Sequence, residues 1–188
     1  MKLNLGSGYK RYSDFLNVDH DPLTQPDFLA DLENLKLPIE DNSVEYIMAH
    51  HVLEHIGPGF FDLMKEIYRV CKHDAIIDIK VPHHRSDVYF MDPSHVRPIT
   101  IDTMLLFSKK YNLWHIENYN SSSGFGLKLN VDFEIVDYRF KPYEKWEKRF
   151  ETMTNEQIDE VVMDYNNVFH ETMIIMKAIK NEESTSNG

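Results

Sequence analysis

The stretch VEYIMAHHVLEHI, residues 44–56, is compatible with two folds. His51-Val52-Leu53-Glu54-His55 reads as H-x-x-E-H. On a helix that spacing places two imidazoles one turn apart with a carboxylate between them, as a zinc metallohydrolase requires. The apolar run before it reads instead as a buried strand, with HHVLEHI as the connector at its end. The flank decides. Gly57-Pro58-Gly59 breaks the chain immediately after Ile56, whereas a zinc helix has to run on through its motif. Residues 44–49 are therefore read as a strand.

Working outward, Phe61, Met64, Ile67, Tyr68 and Cys71 recur at helical spacing, with Asp62, Lys65, Glu66 and Arg69 on other faces. Residues 75–81 form a further strand, stopped by Pro82. Upstream, residues 2–5 are a short strand entering Gly6-Ser7-Gly8. Residues 15–18 end at Asp19-His20-Asp21-Pro22, and residues 28–30 end at Asp31-Leu32. Strands alternating with short connectors and a helix point to a parallel α/β sheet. Downstream, residues 83–98 read as a polar loop, Thr100 as the N-cap of a helix to about 110, and residues 118–126 as a flexible loop. Residues 133–140 and 172–179 read as strands and 155–165 as a helix. Residues 1–180 are expected to make one domain and 181–188 a disordered tail.

Composition narrows the function classes. The chain has 188 residues, a net charge of −11 and one cysteine, Cys71. A lone cysteine rules out an internal disulfide and suits the cytoplasm. The acidic balance argues against long nucleic acids as partners. No apolar run is long enough to span a bilayer. No secretory signal is read at the N-terminus.

The chemistry gathers at strand ends. Leu3-Asn4-Leu5-Gly6-Ser7-Gly8 is a strand followed by G-x-G, whose glycines let backbone approach a ligand. Asp19 ends the next strand, where a carboxylate takes both hydroxyls of a ribose; Asp21 competes for that role. Asp31 and Leu32 end the third and suit an adenine, one for its exocyclic amine and one for its ring. In a parallel sheet these ends share one edge. A dinucleotide fingerprint wants a third glycine and a later acid, so NAD is the weaker reading.

This ordered series resembles the class I S-adenosylmethionine-dependent methyltransferases. LNLGSG, NVD, ADL and EDNSVEYIMAHHVLEHI look like the family's first four motifs. The resemblance covers roughly residues 2–81. It implies a Rossmann-like, mostly parallel seven-stranded sheet flanked by helices, with the last strand antiparallel. It implies S-adenosylmethionine as cofactor, held by Asn4, Gly6, Ser7, Gly8, Asp19, Asp31, Leu32 and His50. The chain departs from the family at Asn4, where an acid is frequent, and at Lys10, where a third glycine is. The link from Gly8 to Phe15 is too short for a helix, so no N-terminal cap over the cofactor is expected. An oligomer or partner would then cover it.

The stretch PHHRSDVYFMDPSHVRPIT, residues 82–100, follows the fifth strand, where this fold builds its acceptor pocket. His84 and His95 are the expected bases, being imidazoles that titrate near neutral pH. Tyr89, Asp92 and Arg97 are the expected acceptor contacts. Glu54 and His55 are expected to orient the loop. Some of His83, His84, Asp92 and His95 could be imagined around a metal, but their spacing matches no ligand pattern, and no resident metal is expected. The reading is methyl transfer to an oxygen or nitrogen of a small polar acceptor, a sugar or polysaccharide precursor among the candidates. The alternatives are the zinc metallohydrolase and a cofactor-binding module without turnover.

Overall fold

The computed structural model describes residues 1–34 and 36–180, so the expected tail at 181–188 lies outside the described residues. Seven strands form one sheet: β1 Lys2–Leu5, β2 Leu16–Asp19, β3 Phe28–Leu29, β4 Val44–His50, β5 Cys71–Pro82, β6 Phe133–Pro142 and β7 Phe169–Ala178. Their order is β3-β2-β1-β4-β5-β7-β6. Strands β1 to β5 pair in parallel, and β7 runs antiparallel between β5 and β6. The chain reverses its direction of travel across the sheet at β1, which has β2 on one side and β4 on the other. Ligands of open α/β sheets bind at such a point, beyond the carboxyl ends of the strands.

The strands alternate between two unlike faces. On one lie Leu3, Leu5, Ile47, Ala49, Ile77, Ile79, Ile174 and Met176, all buried. The helix α1, Phe60–Val70, joins β4 to β5 and buries Phe60, Leu63, Met64, Ile67 and Val70 in the same core. Phe107 and Phe133 extend that core past the helices α3 (Ile101–Leu105), α4 (Lys109–Glu117) and α5 (Phe125–Lys128). On the other face, Tyr46, Met48, His50, Ile76, Asp78, Lys80, Met173, Ile175 and Lys177 remain half-buried. Right-handed crossovers from β1 to β2 and from β2 to β3 would place helices there. Those connectors carry only a single 3-10 turn, Pro22–Thr24.

A polar knot stands where the first connector's helix would be. The Asn17 amide accepts from Asn4 Nδ2 and Tyr12 N, each at 3.0 Å. It donates to Tyr12 O at 3.0 Å, Phe15 O at 3.1 Å and Asp27 Oδ2 at 2.6 Å. Its two N–H hydrogens are shared among these three acceptors, so the buried amide is left with no unsatisfied polar atom, and the knot fixes a short loop.

Several boundaries differ from the sequence reading. The helix α1 ends at Val70, and Cys71 opens β5 instead of closing the helix face. Burial pushes its thiol up to about 12. Residues 83–98 are not all loop: Ser86 caps the short helix α2, Asp87–Met91, by accepting from Val88 N. The helix begun at Thr100 stops at Leu105, and Ser108 starts α4 by accepting from Tyr111 N. The helix α6, Glu144–Phe150, was not foreseen; its charges hide a period whose only buried member is Trp146. Residues 155–165 are helical as expected, as α7, Asn155–Asp164.

Candidate functional site

A cavity of about 610 Å³ opens at the carboxyl edge of β1, β2 and β4. Gly6, Gly8, Asp19, Asp31 and Leu32 line it, joined by His20, Glu33, His51, Val52, His55, Ile56 and Ser94. Its size is that of a nucleoside-sized ligand site.

The wall is built by close backbone approach. Gly6 has a φ of +60°, and a Cβ there would lie 2.5 Å from Val52 Cγ2. Only glycine satisfies both conditions. Asp19 is buried, and its two oxygens accept from Gly8 N at 2.7 Å and Asp21 N at 2.9 Å. Those amides fix the carboxylate at the rim, and its remaining lone pairs are free to accept from a diol. Asp31 both lines the cavity and caps its own turn through Glu33 N at 2.9 Å. The Ser7 hydroxyl is buried with no hydrogen-bond partner among the described residues.

Glu33, which the sequence reading did not single out, ties the wall together. Its carboxylate accepts from Gly57 N at 2.5 Å and Gly59 N at 2.7 Å. The signal was available: an acid two residues past Asp31, in a chain whose α1 begins with the unsatisfied amides of a Gly-Pro-Gly segment.

Three expected cofactor residues, Asn4, Ser7 and His50, lie away from the cavity lining. Asn4 donates to Asn17 and to Lys10 O at 2.9 Å, within the polar knot. His50 points to the half-buried face, where its Nε2 stands 3.0 Å from Asp78 Oδ1. Its neighbour His51 faces the cavity instead. A φ of +56° turns His51 out of the strand, and its N–H donates to Lys80 O at 2.7 Å. A non-glycine residue in that region is strained and is held there by its surroundings. The carboxylates of Glu54 and Glu171, 3.6 and 3.1 Å from its ring, hold the imidazole above its ordinary value, Glu54 most.

The H-x-x-E-H reading does not survive this geometry. Leu53–His55 is a 3-10 turn, not part of a long helix, and it sends His51 and His55 to different partners. The zinc metallohydrolase is thereby set aside. His55 Nδ1 lies 2.9 Å from Ser94 Oγ, and its ring meets His95 at 4.7 Å between centroids. Glu54 is wholly buried; its backbone carbonyl accepts from Val96 N and Arg97 N, tying the two loops together.

Of the expected acceptor-site residues, none lines the cavity itself. His95 stands behind His55, stacked on buried Tyr89 and bonded through Nδ1 to Tyr89 O at 2.7 Å. Asp92 accepts from Ser94 N at 2.8 Å and Ser94 Oγ at 2.5 Å, which holds its carboxyl below the usual range. Arg97 is drawn inward: it lies over the Phe60 ring at 4.6 Å and donates to Gly57 O at 3.1 Å. His84 is exposed and stacks on His83, away from the cavity; partial burial and then Arg85 lower its pKa.

Comparison with known proteins gives consistent results. Residues 5–79 match the model of a methyltransferase domain family. No curated protein matches the chain. Among solved structures, a SAM-dependent methyltransferase from Archaeoglobus fulgidus superposes with a TM-score of 0.59 at 18% identity, covering 94% of this chain and 85% of that one. One from Mesorhizobium loti gives 0.52 at 15% identity, covering 94% and 89%. A possible histamine N-methyltransferase from Thermotoga maritima gives 0.55 at 12% identity, covering 95% and 82%.

Proposed function

We propose that this chain, a class I S-adenosylmethionine-dependent methyltransferase, methylates an oxygen or nitrogen of a small polar acceptor bound beside His51, His55 and Ser94. A sugar or polysaccharide precursor has the hydroxyl-rich chemistry that such a wall recognises. The observation that carries the reading is the carboxylate of Asp19, buried, held by two amides and lining a cavity at the switch point of the sheet.

The residues fit the cofactor. Gly6 and Gly8 give the close backbone, Asp19 the acceptor for a ribose diol, and Asp31 with Leu32 an edge and a wall for an adenine. Bound S-adenosylmethionine supplies a methyl group already activated on a sulfonium. The protein's work is then alignment and exclusion of water. Val52 and Ile56 give the cavity its apolar wall, while His51 and His55 present imidazoles to the acceptor. In this reading His95 acts on the acceptor side through its contact with His55, and His84 takes no part. Tyr89 and Arg97 shape the loop, and Asp92 positions Ser94. A single domain over residues 1–180, in the cytoplasm, completes the reading. No helix of the described residues is long and apolar enough to cross a membrane.

Thermal unfolding with S-adenosylhomocysteine tests this. The ligand should raise the midpoint by mass action, and Asp19→Ala should shrink the shift while the protein still folds. No shift at saturating ligand, with NAD giving one instead, overturns the assignment. Labelled methyl transfer to hydroxylated and amino acceptors then identifies the acceptor class.

A further inference from the structure

We infer that Glu54, His55 and His95 form a binding site for a divalent transition-metal ion at the wall of the cavity. One donor atom from each lies within 4.8 Å of the others. This set is not the H-x-x-E-H set: His51 is outside it, and His95 comes from the loop after β5.

Three observations carry the inference. The first is Glu54, fully buried, with neither carboxylate oxygen hydrogen-bonded among the described residues. A carboxylate withdrawn from water without donors needs a compensating cation. His51 pairs with Glu54 Oε1 by charge at 3.6 Å, beyond hydrogen-bond length, and leaves Oε2 without a donor. The second is the state of the two rings. His95 Nδ1 lies 2.7 Å from the Tyr89 carbonyl, which can only accept. The ring therefore donates from Nδ1, which in the neutral imidazole leaves Nε2 a lone pair. Ser94 Oγ gives its proton to Asp92 at 2.5 Å, so it accepts from His55 Nδ1 at 2.9 Å. In the neutral ring His55 Nε2 is likewise the lone-pair nitrogen. Metal-binding histidines carry this second-layer support, a carbonyl or carboxylate on the far ring nitrogen that fixes the tautomer. The third is position: one ligand, His55, and its support Ser94 line the cavity, with Glu54 and His95 directly behind them.

Two imidazoles and a carboxylate suit Zn²⁺, Fe²⁺ or Mn²⁺ rather than Ca²⁺ or Mg²⁺, whose preferred ligands are oxygens. Three protein ligands leave room for an exogenous oxygen. The ligand class is therefore an acceptor with adjacent oxygens, a vicinal diol or an α-hydroxy acid, that chelates the ion. This deepens the proposed function and rests on it. In the transfer, the acceptor O–H bond breaks and its proton leaves to water. The oxygen's electron pair forms the new O–CH₃ bond. The methyl–sulfur bond breaks, and its pair stays on sulfur as the neutral thioether. The ion lowers the acceptor's O–H pKa and fixes its orientation.

The test uses full-length protein purified without a polyhistidine tag and stripped with chelator. Co²⁺ is titrated while visible absorption is followed, and Zn²⁺ is titrated by calorimetry. One ion per chain is expected. His55→Ala and His95→Ala should each weaken binding at least tenfold, and Ser94→Ala about tenfold through lost second-layer support. Melting curves establish that the variants fold, and Ser94→Ala is the mildest of them. No stoichiometric binding by the wild type, or folded variants that bind as it does, overturns the site. The metal readout is independent of the cofactor. If S-adenosylhomocysteine binds and Co²⁺ does not, the site is wrong and the function stands. If Co²⁺ binds and S-adenosylhomocysteine does not, the chelated-acceptor role falls with the function.

Discussion

The two faces of this sheet are held by different means. One is closed by α1 and the aromatic cluster of Phe60, Phe61, Phe107 and Phe125, whose rings meet at 4.7–6.3 Å between centroids. The other has no helical cover along its β1–β2 and β2–β3 connectors and is stitched laterally. Tyr46 donates to Asp78 at 2.8 Å, His50 approaches the same carboxylate, and Phe15 lies edge-on to Tyr46 at 5.8 Å. Stability on the first face comes from volume filled, and on the second from polar links between strands. The site sits on the rim common to both, so it inherits its rigidity from the first and its openness from the second.

The largest expected effect breaks the closed face. Phe60→Ala should cost about 3–5 kcal/mol in urea unfolding, since it empties a filled core and removes the ring under Arg97. Acid should come next and separate two regions. Burial, then His84 and Arg85, lowers the His83 pKa to about 4. Its neutral form is favoured in the fold, so that stability is whole above the unfolded value of 6.5 and is lost as pH falls toward about 4. The loss should reach at most about 3 kcal/mol. Asp78 is held below its ordinary value by His50 and Tyr46 against the cost of burial, so its contribution is lost only at lower pH. Denaturation midpoints from pH 8 down to about 2 should show both components, and Asp78→Asn should remove only the later one. A smaller effect is expected for Tyr46→Phe, about 1 kcal/mol for one lost hydrogen bond. The smallest is Met48→Ala, under about 1 kcal/mol, because Met48 is half-buried. A Met48→Ala cost equal to that of Phe60→Ala would show that the second face is covered in solution and would end the contrast.

The same division governs what the sequence disclosed. Strands β1, β2 and β4 are legible because their apolar runs stop at glycines and acids, and the carboxyl-edge residues followed from parallel topology. The switch of His50 for His51 was not legible. A strand's two-residue period predicts alternate faces but not that His51 leaves the strand at positive φ. Asn4 misled for a similar reason: its neighbours in sequence are ligand-facing, whereas its amide is required by Asn17, thirteen residues away. The grouping of Glu54 with His95 spans two connectors and has no local signature. The helix α6 escaped because a mostly exposed helix with one buried tryptophan carries almost no period.

The place of β7 has a consequence for synthesis. On the ribosome, β1 to β5 can pair as soon as residue 82 has emerged, and the cofactor-side wall can assemble with them. Strand β6 is made well before its partner β7, which lies between it and β5. Until Phe169–Ala178 is available, β6 and the outer side of β5 are bare strand edges, templates for pairing with other nascent chains. A stop codon or a translational pause between residues 142 and 169 would therefore yield an aggregation-prone chain with a largely complete cofactor wall.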